Sequence, residues 1–180
     1  MIRARRRAFI ALAFATVVAI AASAHAVPPL SKGSSVPVVD AWDRDNDLRR
    51  HLGMPILVVY EDKDSATMNQ AVKDDLAKLA AVGGYKNAFA VFAVADVEGY
   101  DYWPVRGIVK DAIRQESRKQ KTTIYCDWNG SVRKSLGLTR GTSNVALFGK
   151  DGGVRFFHAG QMQEARRKEL IRLLRAEVDR

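Results

Sequence analysis

The chain has 180 residues, 47% of them hydrophobic, with 29 Lys and Arg against 20 Asp and Glu, a formal charge of +9. That length suits one domain and the apolar fraction can bury a core, which excludes disorder, collagen and coiled coil. A single cysteine excludes an internal disulfide framework, a CxxC redox pair and a cysteine-rich zinc site.

Met1–Ala26 opens with Arg3, Arg5, Arg6 and Arg7, continues with an acid-free apolar run from Phe9 to Ala22 and closes on Ala24-His25-Ala26. A charged start, a short apolar stretch and a small-x-small end describe a secretory signal peptide cleaved after Ala26. The run is shorter than the ~20 residues that a membrane span needs. Arg6-Arg7-Ala8-Phe9-Ile10 also resembles the twin-arginine export motif, with Arg5 where Ser or Thr is usual. Sec and twin-arginine export both stay open, and either places the protein in the periplasm or outside the cell. Four of the nine excess cations leave with this segment.

Residues 27–35, with Pro28, Pro29 and Gly33, read as an extended leader, and 36–180 as one domain. Val36–Val39 is a short strand that Pro37 places at a sheet edge. Asp43-Arg44-Asp45-Asn46-Asp47 mimics the start of a calcium loop, but its sixth position is Leu48 and its twelfth Met54, so it reads as a solvated turn. Ile56–Tyr60 is a continuous β-branched run, as in a strand buried on both faces. Met68, Val72, Leu76, Leu79 and Ala80 form the apolar row of a helix that Ser65 can cap and Gly83-Gly84 ends. Ala88–Ala95 is a second buried strand, completing a right-handed parallel βαβ unit.

After a loop from Asp96 to Pro104, a helix carries Val105, Ile108, Val109, Ala112 and Ile113 on one face. Thr122–Cys126 is a third strand, ended by Asn129-Gly130 and followed by a short helix over Ser131–Leu136. Asn144–Phe148 and Val154–His158 form a hairpin, and a last helix aligns Leu170, Leu174 and Val178, with Glu164 and Lys168 as an i,i+4 pair.

This order of elements resembles the thioredoxin-like superfamily in its peroxiredoxin/TlpA-like branch. Gly33-x-x-Val36-Pro37 resembles the branch's Gly-x-x-x-Pro entry, and Gly149-Lys150-Asp151-Gly152 its D-x-D-G hairpin, with Gly149 for the first Asp. Tyr125-Cys126-Asp127-Trp128-Asn129-Gly130, the stretch Ser143–Gly152 and the extra amphipathic helix are similar to the bacterial periplasmic YtfJ family. The resemblance spans roughly residues 33–178. It implies an α/β fold: a thioredoxin-like three-layer sandwich, its mixed sheet carrying a C-terminal β-hairpin and a closing helix. It also implies where redox chemistry would sit. The CxxC position, at the end of the strand feeding the first core helix, reads Tyr60-Glu61-Asp62-Lys63-Asp64-Ser65-Ala66, and the cis-proline position falls at Ser143. The peroxiredoxin trio of Cys, Thr and Arg is missing too.

Cys126, near a strand end, reads as a small buried hydrophobe. His51 and His158 lack metal-site spacing, and no P-loop, dinucleotide fingerprint or GxSxG occurs, so no metal or cofactor is expected. Arg114, Arg118, Lys119 and Lys121 end one helix, and Arg166, Arg167, Lys168, Arg172 and Arg175 flank the apolar row of the last. Both clusters read as solvated helix faces, and weak association with an anionic membrane surface stays open. Nucleic acid is not expected as a partner.

One constellation points to binding. In a parallel βαβ unit both strands end on one edge, where open α/β sheets take ligands. Glu61, Asp62 and Asp64 follow the first strand, and Asp96, Glu98 and Asp101, interleaved with Tyr100, Tyr102 and Trp103, follow the second. Such a set suits a basic peptide or a partner presenting Lys or Arg to aromatics. The sequence therefore describes an exported, monomeric thioredoxin-like binding module without redox chemistry. The alternative is a residual thiol oxidoreductase or peroxiredoxin-like enzyme using Cys126.

Overall fold

A computed structural model describes residues 27–31 and 35–180. The signal-peptide segment and Gly33 of the entry motif lie outside the described residues. In chain order the elements are β1 (Pro37–Asp40), β2 (Asp45–Asp47), a 3-10 turn (Leu48–His51), β3 (Ile56–Glu61), α1 (Gln70–Ala81), β4 (Ala90–Asp96), α2 (Val105–Gln120), β5 (Ile124–Asp127), α3 (Ser131–Leu136), β6 (Asn144–Phe148), β7 (Val154–Ala159) and α4 (Glu164–Asp179). They build a seven-stranded mixed sheet ordered β2-β1-β5-β4-β3-β6-β7. The central trio β5-β4-β3 is parallel, and the flanking pairs are antiparallel.

The ILVVY run makes β3 buried along its whole length, because both of its faces are roofed. On one face Leu57 and Val59 pack with Val72, Leu76 and Leu79 of α1 and with Leu170 and Leu174 of α4. On the other, Ile56, Val58 and Tyr60 pack with Phe92, Val94, Val132 and Leu136 and with Leu30 of the leader. Leu30 is also tied to the hairpin turn, its N–H donating to the Gly152 carbonyl at 2.9 Å. That contact fixes Gly152, at φ +82, as glycine: a Cβ there would meet Leu30 O at 2.2 Å. The expected pair in α4 forms, Lys168 to Glu164 at 2.6 Å.

Four local expectations are corrected. β1 is not an edge strand, because Asp45–Asp47 forms β2 outside it. Pro37 is tolerated as the first residue of its strand, beyond the β5 ladder, which reaches only Val39 and Asp40. The Asp43–Asp47 segment is accordingly more than a solvated turn. Asp47 is buried and caps the 3-10 turn by accepting the Arg49 N–H at 2.8 Å. Ser65 does not cap α1; it closes a turn with Asp62, whose Oδ1 accepts from its N–H and hydroxyl at 2.8 and 2.7 Å, and α1 starts later, with Asn69 as its N-cap. Finally, β4 is buried on one face only. Phe92 and Val94 point into the core, while Val91 is exposed and Ala93 and Ala95 are half-buried.

Candidate functional site

The parallel strands β3, β4 and β5 end side by side at Glu61, Asp96 and Asp127. Two hydrogen-bonded clusters close this edge. In the first, the buried Glu61 carboxylate accepts from the Ser143 hydroxyl at 2.8 Å and pairs with Lys73 at 2.6 Å. The Asn69 side-chain amide donates to Ser143 Oγ and to the Gly160 carbonyl, both at 2.9 Å, and its oxygen accepts the Met162 N–H at 2.8 Å. β3, α1, β6 and the start of α4 are thereby joined at this edge. In the second, the buried Tyr60 hydroxyl donates to Asp127 Oδ2 at 3.2 Å, and Asp127 also accepts the Arg133 N–H at 3.1 Å. Burial, then the neighbouring Asp127 and Asp96 charges, push the Tyr60 phenol far above its ordinary range, so it serves as a fixed donor.

The six carboxylates and three aromatics of the constellation have different surroundings. Glu61 is taken up by Ser143 and Lys73, and Asp62 by Ser65. Asp64 is exposed. Asp96 accepts the Glu98 N–H at 3.1 Å. Glu98 turns toward α3, pairing with Arg133 at 2.8 Å and Arg140 at 3.8 Å; the Arg133 bond above all holds its carboxyl below the usual range. Asp101 pairs with Arg106. The aromatics face solvent: Tyr100 is 43% exposed, Tyr102 58% and Trp103 91%.

Cys126 lies in β5 among Ala41, Val97 and Trp128, 3% exposed. Burial first, then the Asp40 charge, push its thiol up to about 12, far from the thiolate that nucleophilic chemistry needs. Its motif neighbours are structural as well. Tyr125 stacks on Phe92 at 5.1 Å, and the Arg106 guanidinium covers Trp128 at 4.6 Å. Gly130, at φ +69, leads into α3 in the left-handed region that favours glycine.

Between α1 and α2 an open groove of about 790 Å³ runs over the outer face of β4. Its floor is Val91, Ala93 and Ala95. Leu76, Ala77 and Ala80 form one wall, and Ile108, Val109, Ala112 and Ile113 the other. Glu61, Asp62, Lys63, Asp96 and Tyr100 border the end at the strand termini, so the groove opens onto the edge just described.

The family described as "Bacterial protein of unknown function (YtfJ_HI0045)" matches residues 86–177 of the chain. The chain belongs to this family. The match takes in β4, α2, β5 and α3, the hairpin and most of α4, so it includes the YCDWNG strand and the Gly149–Gly152 turn. Among solved structures, a putative protein disulfide isomerase from Bacteroides thetaiotaomicron aligns with a TM-score of 0.64 at 8% identity, over 87% of this chain and 90% of that one. The pneumococcal exposed lipoprotein thioredoxin Etrx1 of Streptococcus pneumoniae strain TIGR4 aligns at 0.59 and 14%, over 79% and 99%. A secreted Mycobacterium tuberculosis disulfide oxidoreductase, homologous to E. coli DsbE, aligns at 0.54 and 14%, over 78% and 95%. At these identities they establish the thioredoxin-like fold. No curated protein matches the chain.

Sequence reasoning missed Asn69 and Lys73, which hold the edge together, and Asp127 and Arg133 beneath it. Asn69 lies one residue before the first turn of α1, where an amide signals a cap, but its partners are 74 to 93 residues away and no local pattern announces them.

Proposed function

We propose that the protein is an exported, thioredoxin-like binding module of the bacterial envelope, without dithiol or peroxidatic chemistry. One observation carries this reading. The stretch that the family resemblance aligns with the CxxC position, Tyr60–Ala66, carries Glu61, held by Ser143, and the Asp62–Ser65 turn, with neither a thiol nor a redox couple. The lone thiol lies apart from it, buried in β5 and protonated at neutral pH. Export rests on the Met1–Ala26 pattern, and the secreted and surface-exposed character of fold relatives agrees with it.

What remains for this edge is recognition. Tyr100, Tyr102 and Trp103 offer large, rigid contact area at low entropic cost, and Asp62, Asp64 and Asp96 favour a partner that presents Lys or Arg. Crosslinking in the intact envelope, followed by recovery of the protein, tests this. Wild type should bring down a defined partner protein, and a variant with Trp103→Ala and Asp101→Ala should lose it while staying folded, because the indole faces solvent and the Asp101–Arg106 pair is exposed. Equal recovery with the variant would show that this loop is not the binding surface.

A further inference from the structure

β4 is the middle strand of the seven and is hydrogen-bonded in parallel to β3 and β5. Parallel strands in that position are normally covered on both faces. Phe92 and Val94 satisfy this on one side, but on the other α1 packs toward β3 and α2 toward β5 and β1, reaching β4 only at Ala95, so that Val91, Ala93 and Ala95 floor the open groove. The α2 wall is equally unprotected: Ile108 is 66% exposed, although its helix is amphipathic with this face apolar.

Two features define the occupant. Both edges of β4 are already paired, so nothing can add as a strand, and the groove must be entered by apolar side chains, as when a helix lies in a groove. Of the charged residues bordering it, Glu61 and Lys73 pair with each other and Glu116 pairs with Lys119 at 3.5 Å, which leaves Asp62 and Asp96 at the mouth against Lys63. On a chain of net +9 this is a local excess of acid beside an apolar surface. It repels fatty-acid-like anions and attracts cations. We infer that the groove between α1 and α2 docks a partner's helical segment, apolar on one face and flanked by Lys or Arg, whose basic end lies at the Asp62–Asp96 mouth beside Tyr100. This inference deepens the binding-module reading and rests on it.

The test is fluorescence anisotropy of a labelled Leu/Lys amphipathic peptide of about eighteen residues, five helical turns, titrated with the protein. Saturable binding is expected, weakened at least about tenfold by Ile108→Ser and by Ala112→Trp, which fills the groove, and severalfold by Glu116→Lys. Ile108 and Ala112 are exposed, so both variants keep the fold, and circular dichroism verifies it. A Leu/Glu peptide and oleate should not bind in the same range. Failure of the Leu/Lys peptide to bind, equal binding of the Leu/Glu peptide or oleate, or indifference to all three substitutions would overturn the inference. None of these outcomes touches the binding-module reading, which is overturned separately, by redox activity that depends on Cys126.

Discussion

Asn69→Ala should lower the unfolding free energy by about 3–4 kcal/mol and the melting temperature by roughly 10 °C. Asn69 is 3% exposed and uses its amide at three points: two donations, to Ser143 Oγ and the Gly160 carbonyl, and one acceptance, from the Met162 N–H. Truncation leaves those partners buried without a replacement, each costing on the order of 1 kcal/mol or more. It also releases Ser143, which holds Glu61. Asn69→Asp should not rescue, since a carboxylate keeps the acceptor for Met162 but sets oxygen against oxygen at Gly160. Gln70→Ala, one residue on and exposed, should change stability by less than about 0.5 kcal/mol. Urea and thermal unfolding of the three variants check this. An Asn69→Ala cost near that of Gln70→Ala would mean that the edge is not held by this amide.

The second large effect is acid sensitivity at the opposite side of the sheet. Burial alone would raise the Asp47 carboxyl, but the Ser35 hydroxyl at 2.5 Å, the Arg49 N–H at 2.8 Å and guanidinium at 3.4 Å, and the Val36 N–H outweigh it, lowering the pKa to about 2. A pKa below the ordinary 3.8 stabilises the folded state whenever the group is ionised. The stabilisation, about 2 kcal/mol, is therefore complete above the ordinary carboxylate pKa and disappears as pH falls from about 4 through about 2. Asp47→Asn should lose about this amount at pH 7 and show a shallower fall in stability over the same acid range. Urea midpoints at pH 7 and pH 3 measure both. An Asp47→Asn protein as stable as wild type at pH 7 would contradict the assignment.

How far the sequence reveals this molecule depends on the range of each interaction. β3 is legible because ILVVY is apolar without alternation, and the β6–β7 hairpin because glycine-rich turn chemistry separates two short, largely apolar runs. β2 is illegible: Asp-Asn-Asp has no strand propensity, and only pairing with Pro37–Val39 makes it a strand. AFAVFAVA looks like a doubly buried strand, yet its outer face stays partly open because α2 packs toward β5 and β1 and reaches β4 only at Ala95. That placement, like the meeting of Asn69, Ser143 and Glu61, is tertiary. The acidic-aromatic loops were legible from topology alone, since β3 and β4 had to end on one edge. Which of their carboxylates are already paired was not, because Lys73, Arg133 and Arg140 arrive from elsewhere in the chain.

We propose a thioredoxin-like fold that keeps its framework without sulfur chemistry. It is tested most directly by measuring insulin-disulfide reduction and hydrogen peroxide turnover, each with an excess of dithiol reductant, for wild type and Cys126→Ser side by side. Rates at the level of the protein-free reaction for both proteins are predicted, because the Cys126 thiol is buried and protonated and the Glu61–Ser143–Asn69 cluster has no redox couple. Wild-type turnover above that level, abolished by Cys126→Ser, would contradict the account.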